Sequence, residues 1–215
     1  MAKISAMLLF LAVFLMPSQA KALDFMGNGG GGNPLLSLLD GVTVEGRVSA
    51  FLPESKRVRR IYDDAIPFYQ YEVAKTFCNG FQGWFDVGYF EDRGRSIPLH
   101  NKTRIRLLPL GFGVKYIFPV FSCLNAYVGG GGLYSFLRIK DHSPFVKRHI
   151  RKNEWGGIVK IGFTYSVTCH LYIDIFADYL FQRFDFHRHP RHRFVERNDL
   201  NLNGVSVGAG IGFKF

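Results

Sequence analysis

The side chains able to do chemistry fall into four sets, and their spacing limits what each can do. Asp174 and Asp178 stand four positions apart in a stretch that alternates apolar and polar residues. On one face of a strand that spacing is about 13 Å, too wide for two carboxylates working on one bond. His187, His189 and His192 lie in His187-Arg188-His189-Pro190-Arg191-His192. A metal needs neutral imidazoles, but Arg188, Arg191 and Arg193 repel a cation, so the run reads as a solvated basic loop. Lys147, Arg148, Arg151 and Lys152 form a second basic group. Cys78, Cys123 and Cys169 are the three cysteines. No catalytic pair, metal site or cofactor is expected from these sets; basic binding surfaces and thiol chemistry are.

The elements that position them are strands. The chain holds 22 Phe, 10 Tyr and 24 Gly, with 47% hydrophobic and 20% charged residues, too apolar and aromatic for a disordered chain. Past the N-terminus no run reaches the length of a membrane helix. Instead a two-residue period recurs. Val205, Val207, Ala209, Ile211, Phe213 and Phe215 alternate with Ser206, Gly208, Gly210, Gly212 and Lys214. The same pattern runs through 42–50, 81–90, 155–167 and 171–182. It is rougher in 68–77, in 104–118, where Pro109 and a phase change near Ile105 suggest a bulge, and in 124–137, where Gly129 to Gly132 blur the phase. About eight strands result.

The N-terminus is a separate module. Lys3, the apolar stretch Met7 to Met16 and Ala20-Lys21-Ala22 form the three regions of a secretory signal. Residues 1–22 are read as that signal, 23–40 as a flexible Gly-rich leader and 41–215 as the barrel. Connections alternate between short (Asn79-Gly80, 121–123, 168–170) and long, charged ones (52–67, 91–102, 138–154, 183–202), the pattern of an outer-membrane barrel. A soluble barrel would show the same alternation turned inside out. The polar faces, however, are rich in Gly and Ser, which suit the narrow interior of an eight-stranded barrel better than solvent. The fold class is therefore all-β: an eight-stranded antiparallel up-and-down transmembrane barrel in the cell outer membrane.

On that orientation Glu45, Arg47, Glu72, Asp86, Lys115, Lys160, Asp174, Asp178 and Lys214 point inward. Charges inside a narrow barrel must pair, so an internal salt-bridge network is expected. A narrow, porin-like path for small or apolar solutes is the alternative.

With the final strand Asn203 to Phe215 ending on Phe215, the chain resembles the small outer-membrane barrels of the OmpA transmembrane, OmpX and OmpW kind. The resemblance implies that Phe215 is the signal read by the barrel-assembly machinery. Barrel hydrolases acting on lipid A set a His and a Ser close together near a strand end; no His-x-Ser occurs here, and an enzyme is not expected.

The formal net charge of +10 raises nucleic acid as a partner, but export argues against it. On an outer surface the basic residues Lys147, Arg148, Arg151, Lys152, Arg188, Arg191 and Arg193 would meet lipopolysaccharide or host polyanions, in a structural or adhesive role. They would otherwise only neutralise the anionic leaflet. The three cysteines fall one in each short turn, at the periplasmic rim. An odd count suggests pairing with another protein or a free thiol; the former is similar to the cysteine-linked envelopes of chlamydia-like bacteria, which implies a periplasmic cysteine-rich partner.

Overall fold

The computed structural model describes residues 41–61, 64–77, 79–95, 102–141, 149–184 and 200–215. The expected signal 1–22 and leader 23–40 lie outside the described residues. So do Cys78, Lys147, Arg148, the three histidines 187, 189 and 192, and Arg188, Arg191 and Arg193.

The elements are β1 (Val42–Pro53), α1 (Lys56–Ile61), β2 (Ile66–Thr76), β3 (Phe81–Arg95), β4 (Lys102–Phe121), β5 (Leu124–Asp141), β6 (His149–Ser166), β7 (Leu171–Phe184), β8 (Leu200–Asn201) and β9 (Gly204–Lys214). Each strand from β1 to β7 pairs antiparallel with the next; β7 then pairs with β9, and β9 returns to β1. The two-residue β8 continues the last wall against Arg183 and Phe184. The result is a closed eight-stranded barrel. Closure removes every sheet edge, which is what allows strands to stand in lipid.

The side-chain period of two sorts residues to the two faces. Along β1 burial alternates strictly, with Thr43, Glu45, Arg47 and Ser49 buried and Val44, Val48, Ala50 and Leu52 exposed. The outward set is apolar over the whole circumference: Tyr71 is 71% exposed, Trp155 65%, Ile175 63% and Ile211 63%. A continuous apolar surface of this kind is not a water-facing surface. Aromatic pairs mark its two rims. Phe81 and Tyr116 (centroids 5.0 Å apart) and Phe213 and Phe215 (5.0 Å) lie near the short turns, while Tyr134 and Trp155 (4.9 Å) and Tyr179 and Phe181 (4.5 Å) lie toward the other end. Such girdles belong at membrane interfaces.

The short turns sit at the end that carries Gly41 and Phe215, whose backbones are hydrogen-bonded to each other. In the β2–β3 turn Asn79 (φ 54°) and Gly80 (φ 82°) both take positive φ, as a tight primed hairpin needs. A Cβ on Gly80 would also come within 2.6 Å of the Ile117 carbonyl oxygen.

The course of the strands differs from the sequence reading in two respects. Ile105 brings no phase change: the β4–β5 register is unbroken from Thr103 to Pro119, and Ile105 and Leu107 point inward. The strands also run further than their apolar alternation. β3 reaches Arg95, β5 reaches Asp141 and β6 starts at His149, so Arg151 and Lys152 are strand residues rather than loop residues. Cross-strand pairing does not need apolar side chains once the wall leaves the lipid, so the pattern that revealed the strands stops before the strands do.

Cys123 and Cys169 are free and exposed in the short turns. In a Cys78→Ala background, a maleimide joined to a polyethylene glycol too large for porins should leave intact cells unlabelled. It should modify both thiols once the outer membrane is permeabilised. Labelling of intact cells would place the short turns outside and invert the topology.

Candidate functional site

Of the nine charged residues read as inward, all but Lys214 are buried and joined in one network. Arg47 on β1 is its hub. Its Nη1 donates to Asp178 Oδ2 at 3.1 Å and its Nη2 to Asp174 Oδ2 at 3.2 Å, both from β7. Its Nε lies 3.2 Å from Glu45 Oε1, and Nη1 lies 3.6 Å from Glu72 Oε2. Phe176 covers one face of the guanidinium, its ring centroid 3.5 Å from the guanidinium carbon. Glu72 on β2 links this half to the other. It accepts from Lys115 Nζ at 2.5 Å and from Lys160 Nζ at 2.8 Å, and Lys160 also donates to Asp86. Lys160 stands 3.8 Å over the Trp84 ring.

Five carboxylates face three cations here, and two phenols make up part of the difference. Tyr127 on β5 donates to Asp174 Oδ2 at 3.0 Å, and Tyr172 on β7 donates to Glu45 Oε2 at 3.1 Å. β1 to β7 therefore all contribute a side chain. β9 contributes room instead: a Cβ on Gly210 would strike the Glu45 carboxylate, and one on Gly212 would strike the Tyr172 ring. The glycine-rich inner face of the last strand is thus the complement of the charges opposite it.

Above the network, toward the long connections, the interior turns apolar. Phe51, Phe68 and Phe90 pack ring on ring, with centroids 5.6 to 6.5 Å apart. Ile66, Ile105, Leu107, Leu133, Leu137, Phe184 and Leu202 surround them, and Val58 of α1 joins the cluster, so the β1–β2 connection packs onto the barrel mouth. This plug was not anticipated. Its signal is present as apolar residues on the inward phase near the outer end of each strand, such as Phe51 between Ala50 and Leu52. Tyr127 was missed because the glycines of β5 hide the phase; pairing Ile117 with Tyr127 across the tight β4–β5 turn recovers it. Lys214, read as inward, is exposed at the rim, because the interior opens at the last residue of β9.

Of the basic residues singled out earlier, Arg151 and Lys152 are described, at the outer end of β6. On the outer wall of the neighbouring strands, Glu91 of β3 bridges Arg104 Nε at 3.1 Å and Arg106 Nε at 2.5 Å, both of β4. The Tyr89 hydroxyl donates to Glu91 at 2.7 Å.

Charged and filled inside, apolar and aromatic outside, the chain is a membrane-spanning β-barrel of the bacterial outer-membrane type. Its backbone is similar to that of Neisserial surface protein A, with a TM-score of 0.57 and 16% identity over 82% of this chain and 98% of that one. It is similar also to the outer membrane protein OprG from Pseudomonas aeruginosa, with a TM-score of 0.59 and 16% identity over 82% and 96%. No family model and no curated protein matches the sequence.

Breaking a buried pair by removing one partner costs about 3–5 kcal/mol, because the remaining charge stays buried. Arg47→Met should therefore lower the unfolding free energy of the micelle-folded barrel by about that amount, read as a fall in the denaturant midpoint. Adding Asp174→Asn and Asp178→Asn should recover part of the loss. An unchanged midpoint in Arg47→Met would mean that water already compensates these charges.

Proposed function

We propose that this protein is a closed, structural and surface-interacting barrel of the outer membrane, whose long-connection end contacts polyanions. One observation supports this best. Among the described residues the interior is filled twice over, by the Arg47-centred network and then by the phenylalanine plug. An eight-stranded barrel is only wide enough for its own side chains. A solute would have to displace paired charges and an aromatic cluster together, so the functional surface is the outer end and not the lumen. That end is basic: Arg104, Arg106, Arg138, Arg151 and Lys152 stand on the strand ends, and the sequence adds Lys147, Arg148, Arg188, Arg191 and Arg193. Lipopolysaccharide phosphates and sulfated glycans are bound through such charge. The porin-like alternative has the charged mid-section in its favour and the plug against it.

Reconstituted in a planar bilayer, the barrel should give no sustained conductance steps. Replacing Lys147, Arg148, Arg188, Arg191 and Arg193 by Gln should weaken heparin binding and flatten its salt dependence. Steady single-channel currents would favour the porin-like reading. Heparin binding indifferent to both salt and these substitutions would remove the polyanion reading.

A further inference from the structure

Four arginines stand together on the outer wall where β4, β5 and β6 rise past the apolar belt. Arg106 on β4 pairs in register with Arg138 on β5, and Arg138 pairs with Arg151 on β6. Arg104 lies two residues further along the same face of β4, opposite Lys140 in the backbone register. All four continue an outward phase set by exposed apolar residues on their own strands: Leu108 on β4, Phe136 on β5 and Trp155 on β6.

Neighbouring strands are about 4.8 Å apart, and like charges directly opposite one another destabilise a sheet. Three arginines in consecutive register are therefore a standing cost unless an anion lies across them. Among the described residues, Glu91 is the carboxylate that meets this face. It sits at one end of the row, on β3, where it engages Arg104 and Arg106 through their Nε atoms. Arg138 and Arg151, on the far side, have no described carboxylate opposite them in register.

We propose that this row binds the phosphates of an acylated lipid of the outer leaflet, the lipid A part of lipopolysaccharide. Guanidinium groups give paired N–H donors that match phosphate oxygens, and the terminal nitrogens of Arg104 and Arg106 lie beyond the Nε atoms that Glu91 takes. The choice of a lipid over a soluble polyanion rests on what lies directly below. Leu108 pairs with Phe136, and Leu110 pairs with Tyr134, which pairs with Trp155. This apolar and aromatic ledge, two to four residues from the arginines, would lie along acyl chains while the row holds the headgroup. A sulfated glycan would use the charges and leave the ledge idle. The site rests on and deepens the polyanion reading above, and its four arginines are not among the residues replaced in the heparin test.

The test uses the full mature barrel in detergent micelles, with purified diphosphorylated lipid A, its dephosphorylated form and phosphatidylglycerol as probes. Arg104, Arg106, Arg138 and Arg151 are changed together to Gln, with heat-modifiable migration as the check on folding. If that variant does not fold, Arg106→Gln with Arg138→Gln takes its place. The wild type should prefer the diphosphorylated lipid to both other probes, and the variant should bind it about tenfold more weakly or worse. Lipid A binding unchanged by the substitutions overturns the site, even where the loop variant still loses heparin. Equal wild-type binding of phosphatidylglycerol and lipid A overturns it too, as attraction to any anionic surface.

Discussion

A guanidinium taken out of water costs several kcal/mol unless its partners replace the lost hydration, and the side chain of Arg47 is only 1% exposed. The rest of the interior is arranged around that requirement. Asp174 and Asp178 come from β7, Glu45 from the same strand as Arg47, Glu72 from β2, and the face of the guanidinium is covered by Phe176. Glu72 then needs Lys115 and Lys160, and Lys160 needs Asp86. Each charge is buried because the previous one is, and the chain of partners goes most of the way round the barrel. The sequence must therefore place small residues where this bulk would otherwise collide, which is the work of Gly111 against Asp86 and Gly210 against Glu45.

The two ends of the barrel solve different problems with the same alternation. In the lower and middle part the inward phase is polar and the outward phase apolar, so charge pairs inside and lipid outside are both satisfied. Toward the long connections the inward phase turns apolar, with Phe51, Phe90 and Leu107, and the outward phase turns basic, with Arg106 and Arg138. The reversal marks where the wall passes from hydrocarbon to headgroups. It also places the surface with binding chemistry on the outside of the wall.

Much of this was legible because a strand's period is two and a barrel has one inside. Once Val44 and Val48 are set outward, Glu45 and Arg47 must point inward. The same step places Asp174 and Asp178, Lys160 and Asp86, so the network's members follow from the alternation although their pairings do not. Asn79-Gly80 announces its turn by chemistry. What stayed hidden lay where alternation fails. The glycines of β5 carry no hydrophobic signal and concealed Tyr127. Ile105 and Leu107 looked like a slipped phase because apolar residues were expected to face out. The charged strand ends looked like loops because nothing in their composition separates a paired arginine from a solvated one.

The network is also remote along the chain. Arg47 and Asp178 are 131 positions apart, Tyr172 and Glu45 are 127, and Lys160 and Glu72 are 88. Contacts so distant form late, after the cost of closing long loops has been met. Until β9 joins β1, the inner face is a sheet of uncompensated charge that a bilayer rejects. An open, half-built sheet is thus excluded from lipid, while the finished cylinder is accepted. The hub on the first strand makes completion of the last strand a condition of entry, so the buried charges act as a checkpoint on the order of assembly.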